Sequence, residues 1–219
     1  MKIGRAFGPI FLLAAFIFLH PSLQKNVFEL GASWTFSFFV PYIVQLIVLF
    51  LLMYEFVRFF KEKSRVFKRF IGILVFVAGG IIVFAFNPVY EGDLSGDHSE
   101  IIAEINGAQV FDEGLNMVAL PGCPYCYGKI EILNTLKERN ADLPIHVWLV
   151  KEDSTTIENY KDNLNASIHF SVADEGKLLA KLAEGHFPAF FFRKTSGEVL
   201  YWKNKNFGTS ALDWIEDCY

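Results

Sequence analysis

The chain has 219 residues, a formal net charge of −4, 53% hydrophobic and 20% charged residues, and a mean hydropathy of +0.31. That is too apolar for an ordinary soluble protein; the 24 Phe exclude a disordered chain, and three cysteines are too few for a disulfide-stapled secreted scaffold. The charge is divided unevenly: residues 1–88 carry nine Lys/Arg against three Asp/Glu, residues 89–219 eleven against twenty-one. An apolar, basic part therefore precedes a water-compatible, acidic one, which predicts a membrane region followed by a soluble domain.

The first apolar run, 6–19, is 14 residues long and follows Lys2 and Arg5. A basic start and a short apolar stretch also describe a secretory signal, but Ile17-Phe18-Leu19-His20 offers no small-x-small cleavage pattern. The run is read as a retained helix near 6–22. Residues 34–54 are 21 without a charge, long enough to span a bilayer core. Pro41 lies inside this run, where membrane helices tolerate it. Residues 70–90 form a second uncharged run of 21, ended by Asn87-Pro88. These predict spans near 34–55 and 70–88, with Trp34, Tyr54 and Tyr90 at the interfaces. Arg58, Lys61, Lys63, Arg65, Lys68 and Arg69 crowd between the last two runs against Glu62, whereas 20–33 holds only Lys25 and Glu29. Positive residues stay inside, so the amino end and the basic loop are expected in the cytoplasm and the soluble domain outside. The basic loop is read as a topology signal. No cysteine precedes position 123, and His20 is the only histidine in the spans. The helices therefore lack both a thiol path for electrons and a bis-His haem pair. Gly79-Gly80 is read as a close helix contact.

Residues 91–100 are polar and read as a linker. Apolar runs around Asn106-Gly107 within 101–111 predict a hairpin. Strands are expected at 115–120, 145–150, 167–172, 189–192 and 199–202, the last two joined by a turn at Ser196-Gly197. Helices are expected after position 123 with Ile130, Leu133 and Leu136 on one face, at 154–164, at 176–184 with Leu178, Leu179 and Leu182 inward, and at 209–217. Strands alternating with helices argue an α/β domain with a mixed sheet, and about 120 residues suffice for one core.

The chemical signal is Cys123-Pro124-Tyr125-Cys126. Two intervening residues at a helix start bring the sulfurs within disulfide reach. Pro124 suits the first helical position. Cys123 then meets free N–H groups that favour a thiolate, while Cys126, one turn in, suits resolution of a mixed disulfide. Half of a zinc site, a structural disulfide and chance are the competing readings. Zinc needs two further ligands, and no second pair with such spacing is present. Strand, CPYC and helix together favour redox activity. His186 lies two residues before Pro188; with both cysteines it offers a donor set for Cu(I), though a loop histidine that tunes a thiol is preferred. Cys218 is read as a free thiol.

Residues 101–217 resemble the thioredoxin superfamily, and within it the membrane-tethered TlpA/ResA type of extracytoplasmic thiol oxidoreductase. The likeness is carried by Ile105-Asn106-Gly107, Asn116-Met117-Val118-Ala119-Leu120 before the cysteines, Asp174-Glu175-Gly176-Lys177-Leu178-Leu179, Phe187-Pro188-Ala189-Phe190-Phe191-Phe192 and Thr195-Ser196-Gly197-Glu198-Val199. The resemblance implies a cis Pro188 facing the cysteines, with Phe187, Pro188, Pro124 and Tyr125 shaping the substrate groove. Three features depart from the pattern. Gly122 stands where tryptophan is usual, 117–120 holds no acid in place of the buried proton acceptor, and no glycine pair follows Pro188 to receive glutathione.

The reading is an α-helical transmembrane region of three spans over 1–90, a linker over 91–100, and an α/β thioredoxin-like domain with a central mixed sheet over 101–219. The expected protein is a multi-pass membrane thiol–disulfide oxidoreductase facing the extracytoplasmic space. Cys123 reacts first and Cys126 resolves, with a protein thiol or disulfide as substrate and reduction of that partner as the favoured direction. No cofactor or metal is needed, and no nucleic acid is involved. The lipid bilayer holds the chain, and a separate membrane or extracytoplasmic donor supplies electrons. The alternatives are a copper chaperone using Cys123, Cys126 and His186, and a non-catalytic membrane assembly subunit with an inactive redoxin domain.

Overall fold

A computed structural model describes residues 4–60, 62–101 and 110–219. The chain divides into two compact units, Met1–Val89 and Tyr90–Tyr219.

The first unit is helical: α1 (Gly4–Phe18), α2 (His20–Glu29), α3 (Trp34–Phe59) and α4 (Arg65–Phe86). Helices α3 and α4 are each long and apolar enough to cross a bilayer. At 26 residues α3 is roughly 39 Å long. Helix α1 has 15 residues, roughly 22 Å, short of the ~30 Å hydrocarbon core. It joins α2 at a bend of 59°, and the two count as a third span only if taken as one broken helix. The single helix expected near 6–22 is thus two. Pro21 falls in the first turn of α2, where its missing N–H costs no hydrogen bond, so His20-Pro21 restarts a helix instead of ending one. The chain is pinned at this break by α3: the Gln45 side-chain amide donates to the Phe16 carbonyl at 3.1 Å and lies 3.3 Å from His20 Nδ1. Tyr42 meets the His20 ring edge-on and donates to the Asn87 carbonyl at 3.0 Å. Leu13, Ile17, Val48, Leu49, Leu52 and Val83 form the apolar seam, and Gly79 lets α4 close on Leu49. Ser64 caps α4, its hydroxyl accepting from the Phe67 N–H. Arg65, Lys68 and Arg69 therefore lie on helix, not in a loop.

The second unit is α/β. It contains α5 (Glu91–Leu94), β1 (Ser99–Ile101), β2 (Gly114–Ala119), α6 (Pro124–Tyr127), α7 (Ile130–Arg139), β3 (Ile145–Leu149), α8 (Ser154–Asn163), β4 (His169–Val172), α9 (Gly176–Leu182), β5 (Ala189–Arg193), β6 (Val199–Lys203) and α10 (Thr209–Glu216). The sheet order is β1-β6-β5-β2-β3-β4. The β2–β3 and β3–β4 pairs are parallel and the others antiparallel, which makes the sheet mixed. One face carries Leu115, Met117, Val147, Phe190 and Trp202, all fully buried. Helix α10 covers it with Ala211, Leu212 and Ile215, and Trp214 meets Phe192 edge-on. Helix α7 buries Leu133 and Leu136 and is tied to α10 by a bidentate Arg139–Glu216 pair at 2.8 and 2.9 Å. Tyr160 of α8 stacks on Phe170 of β4. The other face packs Val118, Phe191 and Tyr201 against Leu179, Leu182 and Ala183 of the α9 segment; Leu178, expected inward, is only half-buried.

One expectation changes at the start of this unit. Residues 91–100 are not a free linker, because they contain α5 and the start of an edge strand that pairs with β6. A side chain at Gly92 would collide with the backbone of Asn206 and Gly208, and Trp202 Nε1 donates to the Gly96 carbonyl at 3.1 Å. The segment is held through backbone contacts that its polar composition hides. The hairpin expected around Asn106-Gly107 lies outside the described residues, since 102–109 are not described.

Candidate functional site

Strand β2 is buried along its whole length and delivers the chain to Leu120-Pro121-Gly122-Cys123. The Cys123 N–H donates to the Leu120 carbonyl at 3.2 Å, and Gly122 has φ +68°. Pro at the second and a positive-φ glycine at the third position make a type II turn. A left-handed backbone is costly for residues with a Cβ, which gives a reason for glycine where tryptophan is usual in the family that the sequence resembles.

Cys123 is the N-cap of α6, with Pro124 in the first turn, and its Sγ accepts from the Cys126 N–H at 3.2 Å. The two cysteines form a disulfide with Cα atoms 5.3 Å apart. Cys123 is 9% exposed and Cys126 0%, so any incoming group meets Cys123 first. The helix expected to run on from the cysteines breaks at Gly128-Lys129 before α7. Helix α6 is only four residues long, too short to build a macrodipole, so the N–H groups of its own turn are the local source of stabilisation for a thiolate.

Register places the rest. Val118 of β2 pairs with Ala189 of β5, which sets Pro188 beside Ala119 at the end of the sheet where the cysteine turn begins. The Phe187–Pro188 bond is cis. Pro188 is buried and Phe187 half-buried, whereas Pro124 is exposed and Tyr125 is 71% exposed between the cysteines. His186 is exposed in the turn before Phe187, its N–H bonded to the Ala183 carbonyl at 2.8 Å. Among the described residues no group of three or more His, Cys, Asp or Glu side chains is arranged to hold a metal ion, so Cys123, Cys126 and His186 do not assemble a copper centre in this structure.

Several groups around the site were not singled out from the sequence. Thr156 of α8, 1% exposed, accepts from the Gly122 N–H at 3.2 Å. Asp153 caps α8 by accepting from the Thr156 N–H at 2.9 Å, and hydrogen bonds from Thr156 hold its carboxyl below the usual carboxylate range. Lys129 donates to the Phe207 carbonyl at 3.3 Å; burial pushes its ammonium down, against the pull of Asp93. Tyr160 is fully buried beside Tyr127, with ring centroids 5.2 Å apart, and burial pushes its phenol well up. Tyr201 donates to the Ala183 carbonyl at 3.2 Å, and burial pushes it up to about 12. Asp153 followed by Thr156 reads locally as a capped first turn. Nothing in that stretch announces a bond to a residue 34 positions earlier.

No family model matches the chain, and no curated protein matches it. Among solved structures it is similar to a secreted disulfide oxidoreductase of Mycobacterium tuberculosis described as homologous to E. coli DsbE, at 15% identity over 48% of this chain and 81% of that one, with a TM-score of 0.40. It is also similar to a thioredoxin-like protein of Bacteroides caccae, at 12% identity over 83% of this chain and 60% of that one, with a TM-score of 0.29.

Proposed function

We propose that this chain is a membrane-anchored, thioredoxin-like thiol–disulfide oxidoreductase of the TlpA/ResA type, with its α/β unit on the extracytoplasmic side. The observation that carries the reading is the Cys123–Cys126 disulfide at a strand-to-helix turn, at the same end of the sheet as the cis Phe187–Pro188 bond. In the reduced form the Cys123 thiolate attacks one sulfur of a protein disulfide. A mixed disulfide forms and the partner's first thiolate leaves. The Cys126 thiolate then attacks Cys123 Sγ, closing the Cys123–Cys126 bond and releasing the partner's second thiolate. Two electrons and two protons pass to the partner, and no cofactor enters the exchange. Pro188, Phe187, Pro124 and Tyr125 form the surface on which the partner's strand lies. The spans contain no cysteine, so a separate donor must reduce the pair again. A Pro-Tyr dipeptide between the sulfurs and the reductant role place its potential between about −270 and about −200 mV.

The test is trapping. With Cys126→Ala expressed in the native membrane, a partner is expected to accumulate on Cys123 as an adduct cleaved by dithiothreitol. The adduct should be absent when Cys123→Ala is added. If no adduct forms and the wild-type disulfide does not exchange with glutathione buffers, the oxidoreductase reading fails. A potential near the −120 mV of a strong oxidant reverses the direction alone.

A further inference from the structure

We propose that Thr156, through its buried hydroxyl, is a positioning residue for the reactive turn: it holds the Gly122 N–H and so fixes the peptide that presents Cys123. The inference rests on the oxidoreductase reading above and adds a residue to that site.

In the type II turn the hydrogen bond runs from Cys123 N–H to the Leu120 carbonyl, which leaves the N–H of Gly122 without a partner inside the turn. Thr156 Oγ1 takes it at 3.2 Å. The acceptor stands on a braced platform. Asp153 caps the first turn of α8, and the Asn134 side chain ties down its far end, donating to the Asn163 carbonyl and accepting from the Asn165 N–H, each at 2.8 Å. Thr156 is β-branched, so its χ1 is restricted, and it is 1% exposed. Gly122 itself is exposed and has no Cβ to brace it. The Thr156 bond is therefore the side-chain restraint on the residue immediately before Cys123. Rotation of that peptide would move Cys123 Sγ relative to the Cys126 N–H that it accepts from at 3.2 Å. Because that N–H stabilises a thiolate more than a thiol, the aim of the turn sets how readily Cys123 ionises. Asp153 bonds both the N–H and the hydroxyl of Thr156, with Lys151 nearby; Thr156→Val removes the hydroxyl's share of that contact and Thr156→Ser keeps it.

The experiment uses the full chain, reduced, in lipid nanodiscs. Alkylation of Cys123 is followed from pH 5 to 9 for wild type, Thr156→Val, which keeps the shape, and Thr156→Ser, which keeps the hydroxyl. Thr156→Val is expected to move the alkylation midpoint upward and to slow the reaction at pH 7 about three- to ten-fold, the worth of one hydrogen bond. Thr156→Ser is expected within about two-fold of wild type. A role in packing alone would lower thermal stability in Thr156→Val but leave the pH profile in place. Should Thr156→Val not fold, the wild-type protein still decides: the Gly122 amide, though in an exposed turn, is expected to exchange with deuterium at least about ten-fold more slowly than an unbonded amide. An unprotected Gly122 amide, or coincident wild-type and Thr156→Val profiles, overturns the inference. If the wild-type disulfide exchanges with glutathione while the profiles coincide, only the positioning role falls; if the wild type does not exchange at all, the parent reading fails first.

Discussion

His146 illustrates how one residue's surroundings set its charge. It stands half-buried on β3, its Nδ1 3.3 Å from an Asp112 carboxylate oxygen and its ring stacked on His169 at 5.1 Å. Burial is the largest influence and pushes its pKa down; Asp112 pulls the other way, and His169 and Lys137 push further down. The folded protein thus binds this proton more weakly than the unfolded chain, whose histidine titrates at about 6.5. Its stabilising contribution is complete above that pH and is lost as pH falls through the lowered value. Thermal unfolding of the wild type between pH 7 and pH 5 should therefore show a Tm that falls with acidification, and His146→Phe, which keeps a stacking ring but cannot titrate, should flatten the curve. Equal slopes would mean that His146 does not contribute to the pH dependence of stability. The same local logic separates the cysteines: the sulfur at the turn is reachable, and its partner one turn in is sealed.

At the scale of elements, the sheet is organised by aromatic rows that cross it. Phe190 on β5 pairs in register with Met117 on one side and Trp202 on the other, and its ring stacks on Phe207 with centroids 3.6 Å apart. Both rings are almost fully buried. Phe207 leads into α10, so this stack docks the last helix onto the strand that follows Pro188. Phe190→Ala should cost about 3–5 kcal/mol, the range for emptying a packed phenylalanine site. The change would be read from urea unfolding of the α/β unit by tryptophan fluorescence; a loss under about 1 kcal/mol would show that the core collapses around the gap. Most strands and helices were legible in the sequence. The run 145–150 became β3, and the apolar positions 130, 133 and 136 lie on one buried face of α7. The break at Gly128-Lys129 and the folding of 91–100 were not legible. The folding of 91–100 depends on backbone groups meeting partners far along the chain, such as Trp202 with Gly96.

For the chain as a whole, the proposed function sets the α/β unit on the extracytoplasmic face of a membrane. Cys218 offers a natural reporter: it is exposed and unbonded, whereas Cys123 and Cys126 are closed in a disulfide. Burial pushes its thiol up despite nearby Lys194, so labelling should be run at pH 8 or above. A membrane-impermeant maleimide should modify Cys218 in intact spheroplasts, and Cys218→Ser should abolish the signal until the protein is reduced. Labelling that appears only after lysis would reverse the orientation drawn from the positive charges around 58–69.

Long apolar runs at the start, an α/β unit after them, and two cysteines spaced for a disulfide at a helix start were all readable from the chain alone. These are properties of hydrophobic run length, alternation and spacing, which local physics reads directly. Tertiary packing alone sets what surrounds the cysteines. The pairing of β2 with β5 brings position 188 beside position 119, and the docking of α8 carries the Thr156 hydroxyl to the Gly122 N–H. It also decided that the first apolar run bends at His20 against Gln45. Such contacts join residues dozens of positions apart, and their partners are selected by the packing of elements, to which no local pattern in the chain refers.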